Sequence, residues 1–352
     1  MTVPHNIYIH VPFCISKCNY CAFFSRACAC PNWNKYESDI INEILYWAKL
    51  LGRVQVPTVF FGGGTPSLMP VQTFEKIMSV LNSAFCIQSD CEITLESNPG
   101  TIDYNKLVGF INAGVNRLSI GVQSLDDNKL KFLGRRHNVT DAMTLIGFAH
   151  KLNLRTSADF IYGLPGETTD TVIQLCKKIN SIGLTHCSMY ELTIEPNTPF
   201  GKMNLDMPSN DEMANMYNAI YETLNLTRYE VSNYSAPGNE CRHNANVWDG
   251  QPYIGIGRGA AGRILIDEQW YEQRGAGMQF EKISNTDRAT ERVITGLRTK
   301  RGVYLDTDVQ KILNMQYVHA HPELLNITNN ERISATNRGM LVLDEVILNT
   351  VG

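Results

Sequence analysis

Over roughly its first two hundred residues the chain alternates short, continuous apolar runs with stretches whose apolar positions recur every three or four residues. The runs are Asn6–Val11, Thr58–Phe61, Glu92–Glu96, Arg117–Val122, Ser157–Ile161 and Cys187–Leu192. They are rich in Ile, Val, Phe and Tyr, as expected of buried parallel strands. Between them, Tyr36, Ile40, Ile41, Ile44, Leu45, Ala48 and Leu51 recur at helical spacing, as do Phe74, Ile77, Met78 and Leu81. Gly114 and Gly183 fall where helices should stop. Strand–helix units in series predict an α/β protein whose parallel sheet curls into a partial (β/α)6, TIM-like barrel.

The rhythm changes after about residue 200. A helix is expected over Asp211–Leu226, then a loop SNYSAPGNECRHN, a glycine cluster IGIGRGAAG, and helices at Thr286–Leu297 and Asp344–Val351. We expect a barrel domain over residues 1–235 and a smaller mixed α/β C-terminal domain over 236–352.

Composition narrows the class. Ten cysteines in 352 residues fall far below the density of a disulfide scaffold. No basic segment followed by an apolar one marks a secretory signal. No apolar stretch approaches the roughly 20 residues that span a bilayer, so no integral membrane segment is expected. Reduced thiols in the cytoplasm follow, where clustered cysteines read as metal ligands or redox groups. A net charge of −4 and a pI of about 6.1 argue against nucleic acid as a partner.

The candidate chemistry sits directly after the first run, in CISKCNYC at residues 14–21. Cys14, Cys18 and Cys21 would lie on a strand-to-helix loop, the face of such barrels where active sites form. A structural zinc takes four protein ligands. Three thiolates at this spacing suit a cubane iron–sulfur cluster with one iron open to a small ligand. A zinc site completed by Cys28, Cys30 or a histidine is the alternative that the spacing leaves. Glycines in GGGTP at residues 62–66 free backbone groups for a ligand. Glu96, Gln123 and Asp159 are polar groups within or ending apolar strands, and buried carboxylates are costly unless paired. GRGAAG at residues 257–262 fits a dinucleotide fingerprint, but RILIDEQWY after it alternates like a strand, so a turn between strands is expected.

The C-x3-C-x2-C triplet resembles the signature of the radical S-adenosylmethionine (SAM) superfamily. With its flanks, YIHVPFCISKCNYCAF, it resembles more closely the oxygen-independent coproporphyrinogen III oxidase family. FFGGGTPS, TLESNPGTI, RLSIGVQS, LGRRH, DFIYGLPGET, YELTIEPNTPFG, EVSNY and LDEVIL extend the match in order to residue 348. The resemblance implies a 4Fe-4S cluster on Cys14, Cys18 and Cys21. It implies SAM held by Gly64, Thr65, Glu96, Gln123, Arg135 and Asp159, with Tyr20 against the adenine and Tyr8 leading toward the cluster. It also implies a low-potential electron donor and reductive cleavage of SAM.

That family has two branches. The oxidase branch carries a fourth cysteine two residues after the triplet, where this chain has Phe23, and an extended N-terminal arm, where this chain has only thirteen residues before Cys14. The other branch is that of HemW-type heme chaperones, marked by H-N-x-x-Y-W. Residues 243–248 read HNANVW: His243, Asn244 and Trp248 match, and Val247 replaces the tyrosine. The resemblance therefore implies a chaperone that binds heme, with His243 as a candidate ligand, passes it to an acceptor protein and could dimerise. The alternatives are coproporphyrinogen oxidase chemistry and a non-catalytic zinc protein.

Overall fold

The structure, a computed structural model, describes residues 3–274, 279–329 and 331–352. Six parallel strands form the centre of its main sheet: β1 (Asn6–Val11), β2 (Gln55–Gly63), β3 (Cys86–Ser97), β4 (Arg117–Gln123), β5 (Arg155–Tyr162) and β6 (His186–Glu191). Between them run α1 (Trp33–Leu51), α2 (Val71–Ala84), α3 (Tyr104–Asn112), α4 (Asp127–Phe132), α5 (Val139–Lys151) and α6 (Thr169–Ile182). The sheet is extended at both edges. Beyond β6 lie the antiparallel β8 (Asn233–Ser235) and β7 (Thr227–Arg228). Beyond β1 lie β9 (Tyr253–Ile256), parallel to it, then the antiparallel β10 (Gly262–Ile266), β11 (Gln269–Arg274) and β12 (Gln279–Lys282). The order is open, with β12 and β7 at the ends, so the barrel is partial.

Alternate strand positions explain the apolar runs. Ile7, Ile9, Phe61, Leu95, Leu118 and Ile120 are fully buried in the main core, which also takes Tyr36, Ile40 and Ile44 of α1 and Phe74, Ile77 and Leu81 of α2. The opposite positions are buried but polar: Asn6, Thr58, Glu92, Arg117, Ser157, His186 and Ser188. Such groups are tolerated only when hydrogen-bonded. Here Ser157 Oγ meets His186 Nδ1 at 2.7 Å, and Arg155 Nη1 donates to Glu92 Oε2 at 3.0 Å. Gly183 ends α6 in the left-handed conformation.

Three expectations change. The helix placed at 211–226 is α7 (Asn210–Thr223), with Ser209 as its N-cap. The stretch expected as one long loop contains β8 and the start of α8 (Arg242–Trp248). β9 adds a seventh parallel strand, so residues after 235 continue the sheet. The glycine cluster is, as expected, the turn between two strands, β9 and β10. A second apolar cluster gathers Ala289, Val293 and Leu297 of α9 (Asn285–Leu297) with residues as far as Val346. It includes residues of a three-stranded antiparallel sheet formed by Val303–Tyr304, Leu325–Thr328 and Arg332–Ala335.

Candidate active site

The C-terminal ends of the central strands and the loops that follow them enclose a cavity of about 410 Å³. Cys14, Cys18, Cys21 and Tyr20 form one wall, Gly64 and Thr65 a second, and Glu96, Gln123, Arg135 and Asp159 reach it from β3, β4, the segment after α4, and β5. Ten of the residues singled out from sequence thus meet in one place. Tyr8 and His243 do not line it.

The cysteine loop is fastened on both flanks. Asn19 N–H donates to the Leu133 carbonyl at 3.0 Å and Asn19 Nδ2 to the Phe132 carbonyl at 2.8 Å. Downstream, His10 Nε2 lies 2.7 Å from the Phe24 carbonyl. A carbonyl can only accept, so Nε2 carries the proton, Nδ1 is the acceptor, and the Tyr8 hydroxyl donates to it at 2.9 Å. Tyr8 thus supports the loop through His10. Gly64 has no room for a side chain. A Cβ there would lie 2.6 Å from the Phe13 carbonyl and 3.0 Å from Cys14 Sγ.

Arg135 ties the two halves of the site together. Its Nη1 donates to Cys18 Sγ at 3.4 Å, and its Nη2 to Asn98 Oδ1 at 2.5 Å and to the Gly121 carbonyl at 2.8 Å. Asn98 Nδ2 in turn donates to Thr65 Oγ1 at 2.9 Å. Gln123 is held with φ at 67°, a left-handed conformation unusual for glutamine, just after a register shift between β4 and β5. Asn98 was not anticipated. It lies in the turn after β3, within TLESNPGTI, and its side-chain amide could have marked it, as Gln123's did.

The two carboxylates differ in their support. Glu96 Oε2 accepts one backbone hydrogen bond, from Gly63 N–H at 3.0 Å. Burial and the neighbouring Asp159 push its pKa up to about 8, against that bond and Arg117. Asp159 accepts from Ser119 at 3.1 Å and Ser157 at 3.3 Å; burial raises its pKa, and these bonds oppose the rise. A buried pair of acids with one held protonated is a site prepared for a cationic or hydroxyl-rich ligand. Three free, half-buried thiols on one fastened loop, beside a guanidinium, fit thiolate ligation of a cluster. Among the described residues no three His, Cys, Asp or Glu groups converge on a single ion. Thiolates that ligate separate irons of a cubane need no such convergence.

The structure moves His243 away from this chemistry. It lies in α8 and closes the opposite end of the barrel, 5% exposed. Its ring packs on Phe60, with centroids 5.1 Å apart, and near Tyr8 at 6.5 Å. Thr58 Oγ1 donates to Asn6 Oδ1 at 2.8 Å, so it accepts from His243 Nδ1–H, also at 2.8 Å. His243 N–H donates to Glu92 Oε1 at 3.0 Å. In this structure the imidazole is buried beside Phe60 and Tyr8, with Nδ1 engaged by Thr58, and it does not reach the cavity. The segment 257–262 is not part of the cavity wall either. It backs the cysteine loop, with Gly257 against the His10 carbonyl and Gly259 against Phe24. Cys30 is exposed and Cys28 packs beside the core, and neither lines the cavity.

A partial barrel with three cysteines on its first strand-to-helix loop defines a radical SAM protein, and residues 8–179 match the radical SAM superfamily. That family implies a 4Fe-4S cluster and SAM. The heme chaperone HemW of Escherichia coli (strain K12) is 37% identical over 274 residues, covering 75% of this chain and 71% of that protein. HemW of Synechocystis sp. is 34% identical over 329 residues, covering 86% and 79%. The solved structure of coproporphyrinogen III oxidase (HemN) from Escherichia coli superposes with a TM-score of 0.82, covering 99% of this chain and 90% of that one, at 20% identity, which is a likeness of fold. Within the superfamily, this chain belongs to the HemW family, the chaperone branch of the coproporphyrinogen oxidase-like proteins.

Proposed function

We propose that the protein is a heme chaperone: it binds heme, carries a 4Fe-4S cluster and SAM, and passes the heme to an acceptor protein. The observation that carries this reading is the identity with proteins named heme chaperones, 37% and 34%, over 75% and 86% of the chain. Phe23 agrees with it, since it stands where the oxidase branch has a further cysteine.

In this reading Cys14, Cys18 and Cys21 hold the cluster. Gly64, Thr65, Glu96, Asn98, Gln123, Arg135 and Asp159 hold SAM. A cluster of this kind, when bound with SAM, supplies an electron to the sulfonium. Arg135 keeps a fixed positive charge beside Cys18 Sγ. Glu96 gives up its proton when a cationic group enters, because the incoming charge replaces the water that burial removed. Tyr20 packs with Leu133, Ile161 and Leu192, giving an adenine an apolar wall. A cytoplasmic location, a low-potential electron donor and a homodimer complete the proposal. No helix among the described residues is long and apolar enough to cross a membrane.

The test is an anaerobic titration of the reconstituted protein with heme, followed at the Soret band, then transfer to an apo heme protein such as apomyoglobin. Saturable binding with transfer is the expected result. Absence of both, with protoporphyrinogen formed from coproporphyrinogen III, SAM and reductant, would replace the chaperone by the oxidase.

A further inference from the structure

We propose that a dianionic oxyanion, a phosphate group in the first instance, binds between Arg228 and Lys300, where the sheet edge meets the C-terminal helices. Arg228 lies on β7, the last strand of the main sheet, and is 2% exposed. Its guanidinium carbon stands 4.4 Å from the ring centroid of Tyr221 and 5.0 Å from that of Tyr217, both on α7. Lys300 is exposed and follows α9; its ammonium lies 5.6 Å from the centroid of the same Tyr221 ring. Its backbone N–H donates to the Tyr229 carbonyl at 3.0 Å, which fixes it beside β7.

What the two cations lack is negative charge. Arg228 Nη2 donates to Asn337 Oδ1 at 2.9 Å, and Lys300 Nζ donates to the same oxygen. Asn337 opens the short helix Asn337–Leu341, and its amide is neutral. Among the described residues no carboxylate lies within ion-pair distance of either cation. Arg288, enclosed to a similar degree, does meet one, Glu291 at 3.0 Å. A buried charge left without a counter-charge is costly. Burial, and after it the charge of Arg228, lower the pKa of Lys300, against Tyr221 alone.

Donors are also left over. Arg228 Nε and the neighbouring Tyr217 hydroxyl are both buried, and neither has a hydrogen-bond partner. Buried polar groups are rarely left so. One amide oxygen does not serve two cations and a spare Nε–H. A tetrahedral dianion does: two of its oxygens accept the fork that a guanidinium presents, and a third accepts from the ammonium. Asn337 and Lys300 are exposed, and Tyr221 is 39% exposed, so the approach is from the surface and the Asn337 amide is free to turn its N–H toward the ion. The bound ion ties α7 and β7 to the C-terminal helices, so its binding reads out as stability.

The experiment is thermal unfolding of the reconstituted protein in inorganic phosphate, acetate or chloride at equal ionic strength, for wild type, Lys300→Ala and Asn337→Asp. A site of millimolar affinity should raise the wild-type midpoint by about 2 °C at about 20 mM phosphate, relative to chloride. Lys300→Ala should lose that shift. Asn337→Asp puts a carboxylate where the shared amide oxygen stands, so its midpoint in chloride should exceed that of wild type and respond little to phosphate. An equal phosphate shift in all three proteins would come from general exclusion of the salt or from binding elsewhere, and would overturn the site. So would the absence of a shift in wild type, or an Asn337→Asp variant less stable than wild type in chloride. A shift in acetate as large as that in phosphate would overturn the dianion and leave a site for a single carboxylate.

Discussion

Replacing His243 by alanine separates a barrel plug from a heme ligand. The substitution removes the Nδ1–H bond to Thr58, a buried hydrogen bond of about 1 kcal/mol. It also empties the space between Phe60 and Tyr8, a cavity effect of about 1–3 kcal/mol. Together these predict a loss of roughly 2–4 kcal/mol at neutral pH. The pH dependence adds a signature. Burial and Arg117 lower the His243 pKa to about 3, against the ordinary 6.5 of a histidine in the unfolded chain. Between those values the unfolded chain binds the extra proton, so the wild type loses stability as pH falls below about 6.5. At pH 5 the loss from this group is about 2 kcal/mol. The alanine variant lacks the group, so its deficit relative to wild type should shrink by that amount between pH 7 and pH 5. Urea unfolding followed by far-ultraviolet circular dichroism at both pH values measures it. A deficit that does not change with pH, together with lost heme binding at neutral pH, would refute the plug and support His243 as a ligand.

The remaining predictions concern the cavity. Replacing Cys14, Cys18 or Cys21 by alanine should abolish iron and sulfide in anaerobically purified protein, while Cys28→Ser and Cys30→Ser should leave them unchanged; zinc in place of iron in the wild type would overturn the assignment. Gly64→Ala should displace the Phe13–Cys14 backbone, because the new Cβ has only 2.6 Å to the Phe13 carbonyl, and cluster content should drop without loss of far-ultraviolet signal. Arg135→Lys cannot reproduce the fork that joins Asn98, the Gly121 carbonyl and Cys18, so SAM affinity by calorimetry should fall about tenfold; unchanged affinity would place SAM elsewhere. With its pKa near 8, Glu96 is mostly protonated at pH 7, so SAM binding should release close to one proton there and almost none at pH 9.5; heats that do not depend on the buffer's ionisation enthalpy at pH 7 would contradict this.

The parallel strands were legible because one face of each is apolar and buried in the main core, even though the other face carries polar groups. β1 was expected at Asn6–Val11 and is found there. The extensions were not. The start of β3 carries Gln88, Ser89 and Asp90, too polar to read as strand, and pairs only at its first two positions with β2 before a register shift. α8 was read as loop because it has seven residues and no side-chain N-cap at Cys241, so neither periodicity nor a capping signal announces it. The place of β9 beside β1 is a contact between residues about 250 positions apart, which no local pattern carries.

The cavity residues were legible for a related reason. A polar side chain at the end of an apolar run is costly unless something binds it, so Glu96, Gln123 and Asp159 stood out. The same rule misled at the other end of the barrel. Asn6, Thr58, Glu92, Arg117 and His186 are equally polar and equally enclosed. They satisfy one another and α8: Asn246 Nδ2 donates to Asn6 Oδ1 at 2.9 Å, and Glu92 accepts from both His243 N–H and Arg155. Polarity inside this barrel therefore does not identify the site by itself. The layers differ in what remains to be paired. At the base each carboxylate meets a cation or a backbone donor. At the mouth Glu96 has one backbone donor and an acidic neighbour, and three thiols stand free on a fastened loop. That surplus of unpaired capacity locates the chemistry, and it explains why His243, despite its motif, belongs to the half of the barrel that is already complete.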